Sequence, residues 1–171
     1  LAVFIPGVLH TDKISIAGET IDYGPCAFRD AFHPATVFRS IDHMGRYAYG
    51  NQPPIAHWNL AGLAQALLPL LSENEDEAVE KATAAINTFP ECFKASYMAG
   101  LGRKLGLSTV DASDDVLGSD LLERMARNKA DFTLTFRYLS ALSQTQNNAD
   151  KHVRALFEEP AEFDQWATDW R

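Results

Sequence analysis

From Ile55 onward, apolar residues recur at helical spacing. Trp58, Leu60, Leu63, Ala64, Leu67 and Leu68 predict a long first helix. Ser72-Glu73-Asn74-Glu75 matches a capping box and predicts a second helix that buries Val79, Ala82 and Ile86. Pro90 marks a restart or kink. Phe93, Tyr97, Leu101 and Leu105 then form an i, i+4 stripe that ends at Gly106. Ser119 is a candidate cap for a helix carrying Leu121, Leu122 and Met125, and Asp131 for one carrying Phe132, Leu134, Phe136, Leu139 and Leu142. Gln144 to Asp150 is a polar loop. Two last helical pieces, around Val153 to Phe157 and Phe163 to Trp170, are split by Pro160. The Leu and Phe stripes are the expected core.

The first 54 residues follow another pattern. Val3-Phe4-Ile5 is β-forming and is stopped by Pro6-Gly7. Ile14-Ser15-Ile16, a turn at Ala17-Gly18-Glu19, and Thr20-Ile21 predict a short β-hairpin that ends in the turn cluster Asp22-Tyr23-Gly24-Pro25. Residues 25 to 55 are rich in aromatics, Gly and Pro without a period, and Gly45 to Pro54 is loop chemistry throughout. The expected fold is mainly α with a small β-hairpin. It forms a single domain over 1–171, with hairpin and ordered loops in 1–54 and roughly six helices in 55–171. Chemistry belongs on the loops flanking the hairpin.

Composition narrows the partners. The 171 residues are 46% hydrophobic and 22% charged, ordinary for a globular domain. A net charge of -8 argues against nucleic acid and against an anionic membrane surface, since both need a basic face. No apolar run has the length of a membrane span. Two cysteines, Cys26 and Cys92, make no disulfide framework and no metal spacing, which points to a reducing, cytoplasmic compartment. The chain opens inside an apolar run with Leu1, without a basic segment or cleavage site, so it reads as a cut-out from a longer protein.

Asp12 and Asp22 lie at the two ends of the predicted hairpin. A hairpin returns on itself, so two carboxylates would face one cleft. Such a pair can hold Mg2+ near a nucleotide's phosphates, because hard cations take oxygen ligands. One carboxylate can instead accept a proton from a hydroxyl. On composition alone, two aspartates at hairpin ends are more often turn residues.

The neighbouring residues carry a resemblance. Catalytic loop, short hairpin, then Asp-aromatic-Gly is the order of a protein-kinase C-lobe, and Asp22-Tyr23-Gly24 resembles its metal-binding turn. The stretch from Gly7-Val8-Leu9-His10-Thr11-Asp12-Lys13 through Asp22-Tyr23-Gly24-Pro25-Cys26-Ala27-Phe28 resembles the signature of the selenoprotein O (SelO) family. So do Ser40-Ile41-Asp42-His43, Gly45-Arg46-Tyr47-Ala48-Tyr49-Gly50-Asn51-Gln52-Pro53, Trp58-Asn59-Leu60, Arg103-Lys104-Leu105-Gly106-Leu107 and Asp131-Phe132-Thr133-Leu134-Thr135-Phe136. The series spans nearly the whole chain.

The resemblance implies a kinase-like C-lobe from a protein adenylyltransferase. Such enzymes move AMP from ATP to Ser, Thr or Tyr hydroxyls of other proteins, with Mg2+ or Mn2+. It implies Asp12 as proton acceptor and Asp22 as ligand of the metal and contact to ATP. The family motif carries Asn, a second metal ligand, where Lys13 stands; it has Asn at His10 and His at Pro6. An amide oxygen can coordinate a cation; an ammonium cannot. Lys13 can alternatively meet a phosphate. The N-lobe, which would bring a Gly-rich loop and a phosphate-binding Lys, is not visible, and G-x-G-x-x-G does not occur. The chain alone is therefore expected to be catalytically incomplete, and a C-lobe with an exposed cleft face is expected to self-associate. Two other readings stay open: a degenerate, non-catalytic helical interaction module, and a kinase-like phosphotransferase.

Other candidates are weaker. His10, His33, His43, His57 and His152 show no ligand spacing. Asp111-Ala112-Ser113-Asp114-Asp115 fails as a calcium loop, with Val116 at the sixth position and Leu122 at the twelfth. Cys26 reads as an inert buried thiol, with redox sensitivity the alternative. Arg46, with Tyr47 and Tyr49, either contacts substrate or anchors its own loop.

Overall fold

The structure is a computed structural model that describes residues 4–19, 24, 26–107, 112–142 and 150–171. It is mainly helical, as the periodicity predicts. Two three-residue strands, β1 (Phe4–Pro6) and β2 (Cys26–Phe28), pair in one small sheet. Seven helices follow among the described residues: α1 (Gln52–Leu71), α2 (Glu75–Ile86), α3 (Phe89–Leu105), α4 (Ala112–Arg127), α5 (Phe132–Leu139), α6 (Asp150–Arg154) and α7 (Pro160–Trp170). None of the described helices is long and apolar enough to cross a membrane. The residues group into two compact units.

One unit comprises Ile5–Ala27 and Ala35–Ala95. Here the expected hairpin strand at Ile14-Ser15-Ile16 is absent. Thr11–Lys13 is instead a 3-10 turn, and a tight turn follows in which the Gly18 N–H donates to the Ser15 carbonyl at 3.2 Å. Gly18 has φ of +71°, so the predicted turn glycine sits where a side chain would be strained. Ile14 and Ile16 are exposed: with no buried face to point at, apolar alternation alone does not make a strand. The other half of that hairpin, Thr20-Ile21, lies outside the described residues.

α1 begins three residues earlier than the helical pattern does. Pro53 and Pro54 fall in its first turn, where a missing N–H costs nothing, so the expected loop ends at Asn51. Its buried face is set by Ile55 and Asn59; Trp58 is 56% exposed, against expectation. α2 packs on α1. Its cap is Asn74, whose side chain accepts from the Glu77 N–H at 3.0 Å. Ser72 stands two residues before the cap and donates its hydroxyl to Glu77 Oε2 at 2.8 Å, so the helix start is shifted by two residues from the predicted one. The face that packs on α1 differs from the expected one: Ala78 and Ala82 are buried while Val79 is exposed and Ile86 half-buried.

The other unit comprises Leu1–Phe4, Phe28–Pro34 and Ser96–Arg171. Leu101 and Leu105 of α3 are buried, and Gly106 at φ +77° ends the helix as predicted, with the Leu107 N–H returning to the Gly102 carbonyl at 3.0 Å. α4 runs unbroken through Ser119, which is therefore not its cap; the N-terminal end at residues 108–111 lies outside the described residues. Asp131 caps α5, accepting from the Leu134 N–H at 2.7 Å. Phe132, Phe136 and Leu139 are buried, whereas Leu134 is exposed and Leu142 half-buried. Asp150, expected in a loop, opens α6 and is buried, paired with Arg171 at 2.7 Å. α7 starts at Pro160, again a first-turn proline. Its Phe163 and Trp166 are almost wholly buried, and the Trp166 indole N–H donates to the Leu117 carbonyl of α4 at 2.9 Å. The Phe28–Pro34 segment joins this unit through paired backbone bonds, Phe32 N–H to Ala130 carbonyl and Phe132 N–H to Asp30 carbonyl, both 2.9 Å. Arg29 is buried there between the Phe32 and Phe132 rings, 4.4 and 4.7 Å from their centroids.

Candidate active site

The loop that carries Asp12 is short and polar, and α1 holds it. After β1, residues 7–10 run without regular structure into the 3-10 turn, closed by the Lys13 N–H on the His10 carbonyl at 2.9 Å. Asn59 is 3% exposed and lies one turn after Ile55 on the buried face of α1. Its Oδ1 accepts from the Thr11 hydroxyl at 2.9 Å, and its Nδ2 donates to the Leu9 carbonyl at 3.0 Å. The loop also lies close over Gly62, where an added Cβ would meet Thr11 Cγ2 at 3.6 Å.

Asp12 follows Thr11 immediately and points into solvent. Its Oδ2 is 3.5 Å from the Lys13 ammonium, and the two side chains are 70% and 61% exposed. Asp22 and Tyr23 lie outside the described residues. Among the described residues, no group of three or more His, Cys, Asp or Glu side chains is placed to hold a metal ion. A divalent cation wants several oxygens and no competing positive charge. Asp12 offers one carboxylate with an ammonium already beside it, so the described donors do not fit Mg2+.

A second loop flanks the first. Asp42 shapes it: Oδ1 accepts from the Arg46 N–H at 2.8 Å and Oδ2 from the Tyr47 N–H at 2.9 Å. Gly45 takes φ +63°, and its carbonyl accepts from the Asn51 amide. Asp42 is thus a loop organiser. The arrangement sets the Arg46 guanidinium 4.9 Å from the Trp58 ring centroid and 5.8 Å from that of Tyr47. Tyr47 in turn packs 5.8 Å from the His10 ring, two residues before Asp12. Arg46 therefore anchors its own loop on aromatic rings, and that loop abuts the Asp12 loop. Cys26 is half-buried, less enclosed than expected, and Cys92 is exposed.

A profile of the family described as "Protein adenylyltransferase SelO" matches residues 1–171. The chain belongs to the SelO family. It is 60% identical over 170 residues to a protein from Rhodopseudomonas palustris (strain BisB5) named "Protein nucleotidyltransferase YdiU", covering 98% of this chain and 34% of that protein. Proteins of the same name from Methylorubrum populi and Bradyrhizobium diazoefficiens are 58% and 56% identical, covering 98% and 100% of this chain and 35% and 34% of theirs. The chain thus spans about a third of the length of the curated SelO relatives it matches.

Within this SelO segment, sequence reasoning singled out Asp12 and Lys13 and missed the role of Asn59. The available signal was an amide at Ile55 plus four, on a helix face that should have been apolar.

Proposed function

We propose that this chain is a C-lobe segment of a SelO-type protein adenylyltransferase with a kinase-like fold. In that reaction a Ser, Thr or Tyr hydroxyl oxygen of a target protein bonds to the α-phosphorus of ATP. The bond from that phosphorus to the α–β bridging oxygen breaks, and pyrophosphate leaves. Asp12 accepts the hydroxyl proton. A carboxylate in this role must be reachable by substrate and held in register with it. The observation that supports the reading is an exposed Asp12 on a loop tied to a helix by two hydrogen bonds. The Mg2+ or Mn2+ implied by the resemblance would need Asp22 and a further oxygen donor; Lys13 cannot supply it.

One observation favours a second reading. The Lys13–Asp12 ion pair occupies the carboxylate that the reaction needs. On that reading the segment keeps its helices for folding or protein interaction and transfers nothing. A conventional kinase reaction is told apart by its products, phosphoprotein and ADP rather than AMP-modified protein and pyrophosphate. Calorimetry of ATP binding to the chain, with and without Mg2+ and with Asp22→Ala, tests the nucleotide half of the proposal. Metal-dependent binding lost in Asp22→Ala supports it; no binding favours the silent module.

A further inference from the structure

We infer that Asn59 is a positioning residue for Asp12, setting where its carboxylate stands through the backbone of the loop; this rests on the proposed role of Asp12. The amide grips the loop at two points that bracket His10. Nδ2 donates to the Leu9 carbonyl at 3.0 Å, and Oδ1 accepts from the Thr11 hydroxyl at 2.9 Å. The next residue is Asp12. Beyond it the 3-10 turn is closed by Lys13 N–H on the His10 carbonyl, the residue between the two grips. The chain is thus held just before Asp12, and the turn passes that restraint on to it.

The chemistry of the grip is specific to a carboxamide. A backbone carbonyl can only accept, so the group facing Leu9 must donate. The group facing Thr11 accepts the hydroxyl proton, which leaves the hydroxyl no freedom to rotate away. Asn alone among side chains of this length offers both functions. Aspartate would set an acceptor against the Leu9 carbonyl, and leucine would leave that carbonyl without its partner. Asn59 is 3% exposed, so its amide is poorly placed to take water in exchange for either bond. Asp12 by contrast is largely exposed, and its carboxylate lies beside the Lys13 ammonium. The position of Asp12 is therefore controlled from its backbone, and the backbone is controlled from Asn59.

The test uses the full-length protein that carries this segment. Asn59→Ala and Thr11→Val are expected to lower kcat for protein modification by about 10- to 100-fold, the cost of a displaced catalytic group, with KM for ATP little changed. Thr11→Ser, which keeps the hydroxyl, should recover most of the loss in Thr11→Val. The double variant should lose little more than Asn59→Ala alone, since that change already removes the Thr11 bond together with the one to Leu9. Amide exchange at Lys13 should speed up in Asn59→Ala, a readout independent of turnover. Thr11 is exposed, so Thr11→Val decides the matter if Asn59→Ala fails to fold. Unchanged kcat and unchanged exchange at Lys13 in a folded variant overturn the inference, as does a loss carried by KM alone. Asp12→Asn separates the two claims. If it leaves transfer intact, the proposed function falls and this inference with it. If it abolishes transfer while Asn59→Ala and Thr11→Val retain kcat, only the positioning role falls.

Discussion

The Lys13 ammonium lies 3.5 Å from the Asp12 carboxylate, on the side chain that immediately follows the proposed proton acceptor. The pair is exposed and contributes little to stability. On the proposed function its effect is on chemistry: it engages a carboxylate oxygen that the reaction would need for a hydroxyl, and it places positive charge beside a carboxylate that would otherwise be open to a cation. Lys13→Asn in the full-length protein should therefore raise transfer and lower the Mg2+ concentration needed for half-maximal activity. A metal titration of initial rates checks both. Unchanged rates and an unchanged metal midpoint would mean that Lys13 does not hold this loop back.

Gly118 and Leu101 set the spacing of α4 and α3. A Cβ on Gly118 would come within 2.6 Å of Leu101 Cδ2 and 3.1 Å of its Cγ. Leu101 is buried, so its side chain has little room to turn away. Gly118→Ala gains about 1 kcal/mol of helix propensity and loses about 1–3 kcal/mol to overpacking. The net expectation is a lower thermal midpoint. In a Leu101→Ala background the same substitution should become neutral or stabilising. Equal effects in both backgrounds would show that the two residues do not meet.

Glu162 carries a pH signature. Its hydrogen bond to Arg127, at 2.7 Å, holds its carboxyl below the usual value of 4.5, with Arg124 adding attraction at 3.5 Å. A carboxyl depressed in the folded state stabilises the fold above its unfolded value and loses that contribution as pH falls through the native one. The gap in thermal midpoint between wild type and Glu162→Gln should be open at neutral pH and close on acidification below about 4.5. A gap that is constant down to strongly acid pH would contradict the assignment.

Much of the helical part was legible because its signals are local. Asp131 caps α5 through its own side chain, and Gly106 ends α3 by adopting a positive φ. Neither depends on distant residues. Signals needing a partner misled. Ser119 looks like a cap, yet α4 continues through it because the backbone ladder on both sides is intact. Ile14 and Ile16 alternate like a strand but find no surface to cover, and the residues that do pair are Phe4–Pro6 with Cys26–Phe28. The candidate site divides the same way. Asp12 and Lys13 were visible as neighbours in sequence. The grip of Asn59 on Leu9 and Thr11 spans about 50 residues, with separations of 50 and 48, and no periodicity encodes it.

The most direct test of the account follows the label from ATP into protein. The full-length protein and its Asp12→Asn variant are incubated with a target protein and with ATP labelled at the α- or the γ-phosphate. The account predicts transfer of the α label, no transfer of the γ label, and loss of α transfer in Asp12→Asn. Transfer of the γ label, or α transfer undiminished in Asp12→Asn, would contradict it.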